Sequence, residues 1–176
     1  MATATHSSSR KTPARSRSTT SQGPDAITLL KGDHRAVEKL FGQFEKAKDE
    51  NRKKALADRI CQELHVHMQI EEEIFYPTSR DFLKNDDIVD ESVVEHAAAK
   101  DLMGEIEAMD PGDELYDAKV TVLQEQIEHH VEEEETEYFP KVRKTDMDIK
   151  AIGARLKARK EELMAQIESG QGGAVQ

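Results

Sequence analysis

Residues 67–77 read HMQIEEEIFYP and residues 130–140 read HVEEEETEYFP. His67, Glu71, Glu72, Tyr76 and Pro77 of the first stretch recur as His130, Glu134, Glu135, Phe139 and Pro140 of the second, each 63 residues later and without a gap. In both, a histidine is followed four positions on by a glutamate. Residues four apart lie on one face of an α-helix, about one turn or ~5.4 Å from each other, so each pair presents a nitrogen and an oxygen to the same side. Two copies of one chelating segment in one chain point to a duplicated helical unit.

Reading outward, each copy has a partner upstream. His34 precedes His67 by 33 residues and His96 precedes His130 by 34. From Asp25, a good N-cap, the apolar residues Ile27, Leu30, Val37, Phe41 and Phe44 recur at steps of three and four, and His34 fills the stripe position between Leu30 and Val37. The second helix, from about Lys53 to Phe82, carries the stripe Leu56, Ile60, Leu64, His67, Glu71 and Ile74. A third, from about Asp87 to Met109, reads Val89, Val93, His96, Lys100, Met103 and Ile106, and stops at the turn Asp110-Pro111-Gly112-Asp113. The fourth, from about Glu114 to Val142, reads Val120, Leu123, Ile127, His130, Glu134 and Tyr138. Four times, a polar ligand type stands where a core residue belongs.

Two hairpins of this kind close into an up-down bundle of four helices. A fifth helical stretch, from about Asp146 to Glu168, carries Ile149, Ile152, Leu156, Leu163 and Ile167 and ends before Gly170. It holds no candidate ligand, and its apolar stripe packs either on the bundle or on a second copy, the second case giving a homodimer through this helix; periodicity alone does not choose between them. The expected class is therefore all-α: an up-down four-helix bundle over residues 25–143 with an additional C-terminal helix over 144–168. Composition agrees, with charged residues at 35%, aromatics at 5% and no Trp.

The ends differ from the middle. Residues 1–24 contain Arg10, Lys11, Arg15 and Arg17, many Ser and Thr, and no acid, so they are read as a disordered basic tail that buries too little to order itself. Residues 169–176, with three glycines, are read as a flexible tail. No apolar run approaches the ~18 residues a membrane span needs, and no secretory signal is visible, so a cytoplasmic protein without membrane contact is expected. The net charge of −11 argues against nucleic acid as partner. Cys61, the single cysteine, reads as a buried thiol.

Unpaired carboxylates cost several kcal/mol each to bury, so inward Glu71 and Glu134 demand something cationic between the helices. Imidazole with carboxylate suits iron, manganese or zinc, and the lack of clustered thiolates excludes iron-sulfur clusters. His34, His67, Glu71, His96, His130 and Glu134 exceed what one tetrahedral ion requires. Shared between two ions, with each glutamate bridging, they supply each with about two nitrogens and two oxygens. Glu72, Glu73, Glu132, Glu133 and Glu135 turn away around the helix and read as solvated, with Glu72 and Glu135 placed to support ligands from behind. His65 and His129 lie off the stripe.

The two quoted segments, with Asp33-His34 and Glu95-His96, resemble the paired motifs of hemerythrin-like HHE cation-binding domains over about residues 25–143. The resemblance implies a non-haem di-iron centre in a four-helix bundle, with those six residues as iron ligands. The chain departs from the oxygen-carrying members in two places: Lys100 stands where they have a further histidine, and Glu134 where they usually have aspartate. The departure turns the expectation from oxygen transport to binding or sensing of oxygen, nitric oxide, peroxide or iron. The alternative is a di-iron enzyme: peroxidase-like, nitric oxide-reducing, or an iron donor for iron-sulfur cluster repair. No catalytic acid or base can be picked out, and the reading leans toward binding. Lys100 either meets an anionic ligand or extends to solvent.

Overall fold

The computed structural model describes residues 23–83 and 87–170. Most of the basic tail and most of the C-terminal tail lie outside them. The described chain is helical: α1 (Ala26–Phe44), α2 (Glu50–Ile70), a π turn (Glu71–Phe75) leading into α3 (Tyr76–Arg80), α4 (Asp87–Glu107), α5 (Tyr116–Glu133), a second π turn (Glu134–Tyr138) leading into α6 (Phe139–Val142), and α7 (Ile149–Glu168). α2 with α3, and α5 with α6, are single rods, so the segments form five rods. Four make the expected bundle, α1 beside α2 and α4 beside α5, and the fifth is α7.

Aspartates set three of the helix starts. The carboxylates of Asp25, Asp49 and Asp148 accept from the backbone N–H groups of Thr28, Arg52 and Ala151 at 2.8, 2.8 and 3.0 Å. The second cap explains why α2 begins at Glu50, ahead of the Lys53 that its apolar stripe alone indicates. α7 ends where Gly170 takes φ 70°, a conformation glycine adopts without strain.

The two π turns are what periodicity does not show. Each begins at a glutamate of the repeat: Tyr76 N–H donates to the Glu71 carbonyl, and Phe139 N–H donates to the Glu134 carbonyl, both five residues back. Pro77 and Pro140 come next and have no N–H to give, so the ordinary ladder is already broken there. One residue inserted into the register rotates the remainder of each rod. Phe75, Tyr76, Tyr138 and Phe139 are all brought inward and buried.

The interior divides into two apolar clusters with a polar layer between them. One contains Ile27, Leu30, Ile70, Phe75, Tyr76, Tyr138 and Phe139 and extends to Ile152, Leu156 and Leu163 of α7. The other contains Phe41, Phe44, Ile60, Leu64, Met103, Tyr116, Leu123 and Cys61. Burial pushes the Cys61 thiol up to about 12, so it is a core residue and not a reactive one. Of the two roles open to the C-terminal helix, packing on its own bundle is the one seen: α7 lies against α1 and α2.

α7 approaches closely. A Cβ at Gly153 would sit 2.5 Å from the Pro24 carbonyl oxygen and 2.7 Å from the Ala26 nitrogen, both backbone atoms that do not yield. Gly153→Ala is therefore expected to destabilise the fold by about 1–3 kcal/mol, as overpacking does. A melting temperature equal to the wild type's would show that α7 does not sit this close to the start of α1.

Candidate metal centre

The polar layer is built by one side chain or pair from each bundle rod: His34 from α1, His67 with Glu71 from α2 and its π turn, His96 from α4, and His130 with Glu134 from α5 and its π turn. All six candidates from the sequence meet there, and all are buried. His34 Nε2 lies 3.3 Å from Glu134 Oε2, and His67 Nε2 lies 3.2 Å from Glu71 Oε2. His96 Nε2 is 3.6 Å from Glu71 Oε2, and His130 Nε2 is 3.8 Å from Glu134 Oε2. The two glutamates lie between the halves, and each faces a histidine of both.

The ligand atoms sort into two overlapping groups. His34, His67, Glu71 and Glu134 can converge on one point, and Glu71, His96 and His130 on another. Glu71 belongs to both. Five of these atoms, His34 Nε2, His67 Nε2, both oxygens of Glu71 and Oε2 of Glu134, have no hydrogen-bond partner although buried. Orphaned donors and acceptors aimed at a common point fit cations and fit little else.

Electrostatics say the same. Burial, then the neighbouring charge of Glu134, pushes the Glu71 carboxyl well above the usual range. Burial lowers His67 to about 4, which keeps its imidazole neutral, the form that ligates. His96 is lowered too, by burial, whereas His130, against its burial, is raised by Glu134 and Glu95, so without an ion the layer holds its protons at Glu71 and on the His130 side. A divalent ion takes the place of those protons.

Behind the layer, each imidazole turns its other nitrogen to a carboxylate. Nδ1 of His34 is 2.9 Å from Glu135, that of His96 is 3.0 Å from Glu72, and that of His130 is 2.7 Å from Glu95. His67 Nδ1 is 3.6 Å from Asp33. The pattern repeats with the sequence: the acid before each first-helix histidine serves the second-helix histidine, and the acid after each glutamate serves the first-helix histidine of the other hairpin. Such partners fix the tautomer and the ring orientation of a ligating histidine. Glu72 and Glu135 were within reach of sequence reading. Asp33 and Glu95 were visible only as neighbours of histidines, because the contact crosses between helices. Lys100, half-buried at the edge of the layer, pairs with the two oxygens of Glu72 at 2.7 Å each. His129 and His65 stay outside the layer; His129 lies 3.8 Å from Glu95 and 3.5 Å from Glu133, in an exposed group.

Beside the layer the repeat is broken where Phe75-Tyr76 of one copy becomes Tyr138-Phe139 of the other. Tyr76 donates its hydroxyl to Glu134 Oε1 at 3.1 Å and lies 3.3 Å from His96 Nε2, while Phe139, its counterpart, stacks on His34 with ring centroids 5.9 Å apart. Burial and the glutamates raise the Tyr76 phenol well above its ordinary range, so it remains a donor. One half of the centre thus has a phenol against it and the other an apolar ring. On the histidine side lies a void of about 10 Å³, walled by the four imidazoles, Asp33, Val37, Leu64, Met68, Ile127 and Val131. That is room for about one water-sized molecule.

A model of the hemerythrin HHE cation-binding domain matches residues 25–142. The chain belongs to the hemerythrin HHE family. A hemerythrin HHE cation-binding domain-containing protein of Mycobacterium kansasii has the same fold, with a TM-score of 0.73 at 21% identity over 85% of this chain and 94% of that one. A protein of Nostoc named DNA nickase is 28% identical over 115 residues, 65% of this chain. The HHE chain spans only 32% of that relative's length. Among the described residues no helix is long and apolar enough to cross a membrane.

Glu71→Gln removes a carboxyl that the fold forces to hold a proton, with little change of shape. The metal-free variant is expected to be more stable than the metal-free wild type by about 1–3 kcal/mol. Added metal is expected to stabilise only the wild type, by about 4 kcal/mol at a thousandfold excess over its Kd. Equal metal-dependent rises in melting temperature would contradict a ligand role for Glu71.

Proposed function

We propose that this HHE protein holds two iron ions in the polar layer and binds or senses a small ligand: oxygen, nitric oxide or peroxide. The observation that carries the reading is the void beside the four imidazoles. Its other walls are aliphatic and thioether groups with the Asp33 carboxylate at one side, and its size favours a ligand no larger than a few atoms.

The donor set supports iron. Four imidazoles and two carboxylates suit an ion that changes oxidation state, no thiolate stands among them, and the second group offers only three protein ligands. Iron there would supply redox electrons and a coordination position open to the small ligand. The group formed by Glu71, His96 and His130 has one protein ligand fewer than the group formed by His34, His67, Glu71 and Glu134, so the His96 half is the more open one. Tyr76 stands in that half. Its hydroxyl holds Glu134 at 3.1 Å and is the nearest proton donor to a ligand that becomes anionic. Glu72 and Glu95 orient His96 and His130 from outside, and with neutral rings they leave both Nε2 atoms facing inward.

Binding is favoured over turnover because the layer is enclosed and only Tyr76 of the described residues stands ready to donate a proton there. The net charge of −11 disfavours contact with a phosphate backbone, so the activity named for the Nostoc relative is not carried over.

Ligand size tests the reading. The iron-loaded protein is expected to give a reversible spectral change with nitric oxide and with azide, and none with imidazole. Leu64→Ala, which widens the void, is expected to admit imidazole. Imidazole bound equally well by the wild type, or peroxide consumed over many turnovers under reducing conditions, would contradict a closed binding pocket.

A further inference from the structure

Each carboxylate behind a histidine is itself held. Glu135 is paired with Lys31 at 3.0 Å and Arg35 at 2.5 Å, Glu72 with Lys100 at 2.7 Å, and Glu95 faces His129. Those four groups come from the bundle itself. Asp33 is held from outside it: Lys160 of α7 places its Nζ 2.6 Å from Asp33 Oδ1. Asp33 needs this more than the others. Its contact with His67 Nδ1 is the longest of the four, at 3.6 Å, and its Oδ2 has no hydrogen-bond partner although buried.

Lys160 is itself well placed to act as a fixed point. One residue before it, Arg159 donates two hydrogen bonds to Glu73 of the first π turn, at 2.7 and 3.0 Å. Ile152, Leu156 and Leu163 bury the same helix against the bundle, and Gly153 lets it touch the start of α1. α7 therefore grips both the turn that carries Glu71 and the acid that carries His67.

We propose that Lys160 is a positioning residue for the metal centre: through Asp33 it fixes the ring of His67, and so makes one of the two metal pockets depend on the C-terminal helix. The pocket formed by His34, His67, Glu71 and Glu134 is the dependent one. The histidines of the other pocket, His96 and His130, take their support from Glu72, Lys100 and Glu95, so that pocket shares Glu71 with the first but does not depend on Lys160. The two ions of this otherwise repeated site then differ in lability, and loss of the Lys160–Asp33 contact releases one before the other. The proposal rests on the two-metal reading above.

The test is release of ferrous iron from the full-length protein to an excess of chelator, under anaerobic conditions. Wild type is expected to release both ions slowly. Lys160→Met is expected to release one ion about 10-fold faster, the usual scale for loss of a supporting partner, and the other at the wild-type rate. Lys160→Arg, which keeps a donor for Asp33, is expected to restore the slow phase. Removing a positive charge near two cations would by itself slow their release, so a faster phase reports lost positioning and not lost charge. Helicity and melting temperature of the metal-free variants confirm that α7 is still docked. Release of both ions from Lys160→Met at wild-type rates, or equal acceleration of both, overturns the proposal. Failure of the wild type to take up iron at all overturns the two-metal reading beneath it.

Discussion

Two carboxylates in the middle of a four-helix bundle govern this molecule. Glu71 is 0% exposed and Glu134 1%, and among the described residues no Lys or Arg enters the layer to meet them. Burying such groups without a partner costs several kcal/mol, a large part of the stability of a whole domain. The bundle tolerates them because four imidazoles surround them and together make a cage for cations. The apolar clusters on either side keep water out, which strengthens whatever charge pairing the cage achieves. The folding problem and the binding site are one arrangement.

The internal repeat explains most of the architecture, and its breaks explain the rest. Two hairpins supply equivalent histidines, equivalent glutamates, equivalent π turns and equivalent carboxylates behind the rings. Symmetry fails where one hairpin has Tyr76 and the other Phe139, and where α7 covers α1 and α2 while the described residues offer no matching helix over α4 and α5. A symmetric cage would hold two alike ions. The breaks give one half a phenol and an open position, and tie the other half to the C-terminal helix.

Much of this was legible in the sequence, because ligands betray themselves by violating a stripe. His34, His67, Glu71, His96, His130 and Glu134 stand at positions where periodicity demands apolar residues, and the structure brings all six together. What crosses between helices was not legible. Spacing along α1 shows that Asp33 precedes His34, but not that it serves His67 on the next helix. Lys100 could be seen one turn past His96, while its partner Glu72 lies 28 residues away. The π turns left only the two prolines as a trace. For α7 the stripe showed that a face must be covered, and Gly153 showed nothing until the backbone of Pro24 and Ala26 lay against it.

The most direct test of the central claim is the metal content and visible spectrum of the protein purified without added metal, beside a His67→Ala/His130→Ala variant. The account predicts about two iron ions per chain, as such carboxylate and histidine bundles hold, with charge-transfer bands that are lost in the variant. A metal-free protein that keeps its helicity and melting temperature in both forms, and gains nothing from added iron, would contradict it.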